Sequence, residues 1–133
     1  MRTGCTITFY SGKRVLVTGG ASFIGSHLTE ALVRAGAVVR VVDDLSSGRM
    51  DNLASVFNGE GGVVQFWQND LRNTAEAACR DMDIVFHLAA AHGGRGYVDT
   101  HPAECSSNHL LDSVVINAAK GAGVDKFVFA SSA

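Results

Sequence analysis

Thr18-Gly19-Gly20-Ala21-Ser22-Phe23-Ile24-Gly25 is the stretch that decides the fold of this chain. Before it stands Arg14-Val15-Leu16-Val17, a β-branched apolar run of strand length. After it Ile24, Leu28, Ala31, Leu32 and Ala35 recur at helical spacing and Gly36 supplies a stop, which predicts an amphipathic helix over residues 23–35. A strand that turns through glycines straight into a helix offers an anion a tight turn, close backbone approach, and free N–H groups at the positive end of a helix dipole. Gly19 and Gly25 meet the needs for a tight turn and for an open helix N-terminus, and Ser22 stands where a middle glycine is usual. Its small hydroxyl can cap the helix or donate to a phosphate. The first helical turn, residues 23–26, carries no Asp or Glu, so its positive end is left uncompensated.

Working outward, four further apolar runs follow: Val38-Val39-Arg40-Val41-Val42, Val63-Val64-Gln65-Phe66-Trp67, Ile84-Val85-Phe86-His87-Leu88 and Lys126-Phe127-Val128-Phe129-Ala130. Nearly continuous apolar strands suit a parallel sheet covered on both faces. Between them lie a turn or two of helix at 51–57, a short helix at 73–80, and a longer one at 103–122 that starts beside the single proline, Pro102. That helix carries Leu111, Val115, Ala118 and Ala122 on one face, and Gly121 and Gly123 end it. Alternating strands and helices with short links predict an α/β fold: a Rossmann-like, doubly wound parallel sheet of about five strands in the order 3-2-1-4-5. Residues 1–12 read as an N-terminal extension and 13–133 as one domain.

Bulk properties narrow the partners. The chain has 133 residues, 47% hydrophobic and 18% charged, a composition that builds one packed core and excludes disorder. Glycine occurs 15 times and proline once, so the glycines answer specific backbone demands. A net charge of −2 gives no basic excess to track nucleic acid, and no apolar run approaches the roughly 20 residues that span a bilayer. A cytoplasmic protein is expected. Cys5, Cys79 and Cys105 are odd in number and lack a C-x-x-C pair, which predicts reduced thiols. The five histidines show no spacing for a metal site and read as structural or surface residues; no metal is expected.

Asp43 ends the second strand, 24 residues after Gly19, where a carboxylate accepts from the adenosine ribose hydroxyls and repels a 2′-phosphate. Asp44 follows with no Arg or Lys directly after it, which favours NAD over NADP. At this point the sequence resembles the extended short-chain dehydrogenase/reductase family, in particular its NAD-dependent nucleotide-sugar epimerases and dehydratases. Thr18 to Gly25 is similar to that family's phosphate turn, and Asp43-Asp44-Leu45-Ser46-Ser47-Gly48 to its ribose loop. Asp70-Leu71 resembles its adenine contact, and His87-Leu88-Ala89-Ala90 its fourth strand end. Asn108 and Ala130-Ser131-Ser132-Ala133 complete the set.

The resemblance implies roles position by position. Backbone amides around Ala21, Ser22, Phe23 and Ile24 would hold the pyrophosphate, with Asp43, Ser47 and Gly48 around the adenosine ribose and its phosphate. Asp70 would accept from the adenine amino group and the Leu71 amide would reach a ring nitrogen. Leu88, Ala89 and Ala90 would wall the nicotinamide side, with Asn108 and Ser131 beside the cofactor. Ser132 would be the active-site hydroxyl on the sugar. The glycine-rich segment His92-Gly93-Gly94-Arg95-Gly96-Tyr97 resembles a substrate loop of some epimerases, in which Gly94 and Arg95 would meet the nucleotide sugar; a mobile surface loop is the other reading.

The family's chemistry requires a tyrosine with a lysine four residues later. Tyr10 is followed by Arg14 and Tyr97 by His101, so neither forms that pair. The chain therefore reads as a truncated cofactor half of an epimerase or dehydratase that works through a transient keto-sugar. It is expected to be inactive and to bind NAD weakly or not at all. The other reading is a stand-alone dinucleotide-binding or regulatory module, self-associating as a homo-oligomer through the apolar face of helix 103–122. Trp67, close to Asp70, is expected to report binding by fluorescence.

Overall fold

Val15, Leu16 and Val17 are each wholly buried, and their side chains part to opposite faces: Val15 and Val17 into one cluster, Leu16 into the other. That alternation inside an unbroken apolar run is what a strand sandwiched between two helical layers requires. The computed structural model describes residues 9–59, 63–90 and 95–130 and places five strands in one parallel sheet. They are β1 (Arg14–Thr18), β2 (Val38–Asp43), β3 (Val63–Gln68), β4 (Ile84–His87) and β5 (Lys126–Phe129), in the order β3-β2-β1-β4-β5. The expected doubly wound architecture and strand order are therefore observed.

Helix α1 (Phe23–Arg34) and the short α2 (Ala54–Asn58) flank one face, with a single 3-10 turn at Met50–Leu53 leading into α2. Leu32, Val33 and Leu53 pack there against Val15, Val17, Val39, Val41 and Ile84. Helices α3 (Leu71–Cys79) and α5 (Pro102–Gly121) cover the other face, where Leu71, Ala75, Ala78, Val115, Ala118 and Ala119 meet Leu16, Val42 and Val85. The apolar stripe of α5 is thus spent on the sheet through Val115 and Ala118. The large apolar side chains α5 leaves in solvent are Leu110 and Ile116, which flank that stripe on either side, and Ala122, expected on the stripe, is exposed where it caps the helix.

The boundaries follow local chemistry. Ala35 caps α1 and Gly36 takes a left-handed φ of +84° with its amide on the Val33 carbonyl, a C-terminal stop that any Cβ would strain. Asp70 caps α3 by accepting from the Arg72 amide at 2.9 Å, so this helix begins at Leu71, two residues before the expected start. Pro102 opens α5 in its first turn, as expected. The largest departure is α4 (Arg95–Thr100): the segment read as a glycine-rich loop turns helical from Arg95.

Cys79, the last residue of α3, is buried in the core, and burial pushes its thiol up to about 11. Iodoacetamide at pH 8 is expected to leave Cys79 unmodified in the folded chain and to alkylate it in urea, read by peptide mass spectrometry. Native labelling of Cys79 at the rate of a free thiol would contradict this packing.

Candidate functional site

The connections that leave the C-terminal ends of β1 and β4 lead to helices on opposite faces of the sheet, and the crevice opens at that switch point. It is a cleft of about 360 Å³, inside the range of roughly 300–1,000 Å³ usual for ligand sites. Gly19, Ser22, Asp43, Asp44, Ser47, Asp70, Leu71, Leu88, Ala89, Ala90 and Asn108 line it. These eleven are candidates drawn from the sequence, and the fold gathers them from five separate segments. Gly94, Ser131 and Ser132 lie outside the described residues, and Arg95 is placed as the first residue of α4.

The turn after β1 is built by steric exclusion. Gly19 holds φ at +70°, and a Cβ there would stand 2.9 Å from the Ala89 nitrogen. A Cβ on Gly25 would overlap the Gly19 carbonyl oxygen and lie 2.8 Å from the Gly20 Cα. Only hydrogen fits at either position, so the helix end, the turn and the end of β4 meet backbone to backbone. Ser22 completes the cap: its hydroxyl donates to the Gly19 carbonyl at 2.7 Å and accepts from the Gly25 amide at 3.2 Å. Phe23 and Ile24 occupy the first turn, where amides have no i−4 carbonyl to bond, and their side chains are exposed. Two uncommitted N–H groups at a helix start without acidic residues form a cradle for an anion.

Asp43 is buried and divides its two oxygens between two backbone amides, Oδ2 accepting from Ala21 at 2.9 Å and Oδ1 from Leu45 at 2.8 Å. The Ala21 amide is therefore committed to Asp43 and the Ser22 amide to the Gly19 carbonyl at 3.2 Å, which leaves the Phe23 and Ile24 amides for an anion. Gly48 is a packing glycine behind the cleft, since a Cβ on it would stand 2.9 Å from both the Ala21 Cβ and Asp43 Oδ2. Asp70 is gripped by Arg72, whose guanidinium reaches both carboxylate oxygens at 2.6–3.0 Å and holds its carboxyl below the usual range. Any adenine amino group must share that carboxylate.

The lining chemistry favours one dinucleotide over another. Asp43, Asp44, Asp70 and Glu104 put four carboxylates on the cleft, and Arg72, already paired with Asp70, is the one Arg or Lys among the described lining residues. Ribose hydroxyls suit such a lining and a 2′-phosphate does not. The cradle, the carboxylate at the end of β2 and the apolar wall of Leu88 and Ala89 together fit NAD.

Three features escaped the sequence reading. Tyr97 on α4 lines the cleft and stacks on His101 with ring centroids 4.1 Å apart. Trp67 is not among the lining residues; it sits under the Arg40 guanidinium at 4.4 Å and against the α3–α5 cluster, which makes it a poor reporter of the cleft. Thr18 and His87 are buried register partners at the ends of β1 and β4, a polar pair in an apolar layer that only strand pairing could have revealed. Among the described residues no helix is long and apolar enough to cross a membrane, and no cluster of His, Cys, Asp and Glu could hold a metal.

Comparison with known proteins agrees with this geometry. The chain is 38% identical over 122 residues to the UDP-glucose 4-epimerase of Mycolicibacterium smegmatis, covering 90% of this chain and 38% of that protein. The epimerase Mth375 of Methanothermobacter thermautotrophicus superposes with a TM-score of 0.82 at 36% identity, over 95% of this chain and 37% of that one. The UDP-glucose 4-epimerase of Thermus thermophilus, solved in complex with NAD, gives 0.76 at 37% identity over 90% of this chain and 37% of its own. The chain thus spans little more than a third of the length of these relatives. A family model matches residues 15–133, nearly the whole sequence, and on that match and the cleft that the residues build, the chain belongs to the NAD-dependent epimerase/dehydratase family.

Proposed function

We propose that this chain is the NAD-holding portion of a nucleotide-sugar epimerase or dehydratase whose reaction passes through a transient keto-sugar. The observation that carries the reading is the junction of Gly19, Gly25 and Asp43: two glycines that admit no Cβ beside a helix start, and a buried carboxylate that ties the same turn to the end of β2. In the bound enzyme NAD supplies the hydride acceptor. This chain's residues do the rest of the cofactor work. The Phe23 and Ile24 amides face the pyrophosphate, Asp43 and Ser47 face the adenosine ribose, Leu71 lies by the adenine, and Leu88 and Ala89 exclude water beside the nicotinamide. Ser132 and the Gly94–Arg95 segment are assigned to the nucleotide sugar, UDP-glucose by name in the Mycolicibacterium and Thermus relatives.

The 133 residues contain no Tyr-x-x-x-Lys pair, so hydroxyl deprotonation has no agent in them and the chain by itself is read as inactive. A cytoplasmic setting and self-association belong to the same reading, the latter supported by exposed Leu110, Ile116, Val128 and Phe129 on α5 and the β5 edge. A monomer by light scattering at high concentration removes the self-association.

Isothermal titration with NAD and NADP separately tests the cofactor assignment. NAD is expected to bind at least about tenfold tighter, because a 2′-phosphate would enter the carboxylate lining with no unpaired guanidinium among the described lining residues to meet it. Equal or stronger NADP binding would refute the role given to Asp43.

A further inference from the structure

Thr18 and His87 face each other across the β1–β4 pair, and both are buried. The Thr18 hydroxyl accepts from the Ala89 amide at 3.1 Å and, at 3.0 Å, from the Leu88 amide, which it shares with the Thr18 carbonyl at 3.2 Å, and it lies 2.7 Å from His87 Nδ1. A hydroxyl has two lone pairs and one proton. With both lone pairs taken by amides, its proton goes to His87 Nδ1, which makes Nδ1 the acceptor. The ring proton then sits on Nε2 and is donated to Asp112 Oδ1 on α5, 2.8 Å away. Donation runs in one direction, from the Leu88 and Ala89 amides through Thr18 and His87 to Asp112, and each bond polarises the next.

The amides at the head of this thread belong to the apolar wall of the cleft, and Ala89 is the backbone that leaves no room for a Cβ on Gly19. We propose that His87 is a positioning residue: neutral and held in one tautomer between Asp112 and Thr18, it fixes the Leu88–Ala89 backbone that forms the cofactor wall. The wall's role toward the dinucleotide rests on the function proposed above; the thread itself does not. Around the imidazole, β1 presents Thr18, β5 presents the rings of Phe127 and Phe129 at 6.1 Å, and α5 presents Asp112, the one charged group bonded to the ring among the described residues.

Protonation would put a second N–H against a hydroxyl whose lone pairs are already filled, so a charged ring must expel an amide or leave the thread. Burial lowers the His87 pKa, outweighing the upward pull of Asp112. The folded chain thus takes up its proton at lower pH than the unfolded one. The thread is fully present above the ordinary histidine value of about 6.5 and is lost as pH falls below it through the folded value.

Nitrogen-15 NMR of the free chain, with amide hydrogen exchange followed from pH 7.5 downward, tests this. The His87 ring is expected to carry its proton on Nε2. Thr18→Val should speed exchange at Ala89 by about tenfold or more, and less at Leu88, which keeps the Thr18 carbonyl as an acceptor, with Thr18→Ser restoring protection because it keeps the hydroxyl. Asp112→Asn removes the charge that favours the imidazolium and should move the acid loss of protection to lower pH, a shift that a packing role alone would not produce. A proton on Nδ1, unchanged exchange in Thr18→Val, or an acid transition indifferent to Asp112→Asn would each overturn the proposal. In a parallel titration Thr18→Val is expected to weaken NAD about tenfold with Thr18→Ser near wild type, and equal affinities would overturn the link to the wall. If the wild-type chain shows the thread but no NAD binding, the proposed cofactor function fails while the thread stands.

Discussion

Gly25→Ala is expected to destabilise the fold and abolish measurable NAD binding, although it lies inside a helix where alanine is ordinarily the better residue. Helix propensity alone predicts a gain of about 1 kcal/mol. Sterics oppose it. The added methyl would occupy the position of the Gly19 carbonyl oxygen, with the Gly20 Cα 2.8 Å and the Gly19 carbonyl carbon 2.9 Å away. These are backbone atoms, so no side chain can rotate aside, and α1 must lift from the turn. Overpacking of this kind costs about 1–3 kcal/mol and sometimes more, which reverses the sign. Binding suffers beyond stability because the lifted helix carries the Phe23 and Ile24 amides with it. Two lost bonds to a charged group at about 1.5 kcal/mol each amount to a hundredfold in affinity. Calorimetric titration and thermal denaturation read both effects. Gly121→Ala is the control: it ends α5 with nothing within 4 Å of the added Cβ, and it should leave melting and binding unchanged. Wild-type affinity in Gly25→Ala would show that the helix start does not touch the cofactor.

The contrast between these glycines marks how far the sequence could be read. Gly19 and Gly25 carry a spacing that a strand-to-helix turn demands, and strand β1 and helix α1 followed from the apolar periods on either side. The strand order followed from alternation and handedness, which are rules about neighbours in the chain. The thread of Thr18, His87 and Asp112 obeys no such rule. Its members lie 69 and 25 positions apart: Thr18 and His87 stand inside motifs with no role of their own, and nothing in the sequence singles out Asp112. Helix α4 was hidden for the opposite reason, since Gly93, Gly94 and Gly96 give the sequence around its first described residues the composition of a loop. Asp70 was legible only through the family resemblance, and its capture by Arg72 depends on the cap that starts α3.

Asp43→Ala should lower NAD affinity by about tenfold or more and narrow the preference over NADP, and Asp43→Asn should do no better. In the wild-type chain the carboxylate is acceptor only, and both oxygens are engaged by backbone N–H groups, Ala21 on one side and Leu45 on the other. An asparagine amide turned either way presents its NH2 to one of these donors, so the isosteric change leaves a buried amide facing another donor. Alanine leaves two. Leu45 holds a left-handed φ of 62°, an uncommon state for a leucine that the Asp43 turn over it sustains, so both variants should also free the ribose loop. The NADP ratio separates the two functions of the residue. If Asp43 only ties the turn to the loop, both dinucleotides weaken together; if it also faces the ribose, NAD weakens more, because the 2′-phosphate gains when a carboxylate is removed. A fall in NAD affinity with an unchanged NAD to NADP ratio would therefore leave Asp43 as a structural clamp and remove it from the ribose site.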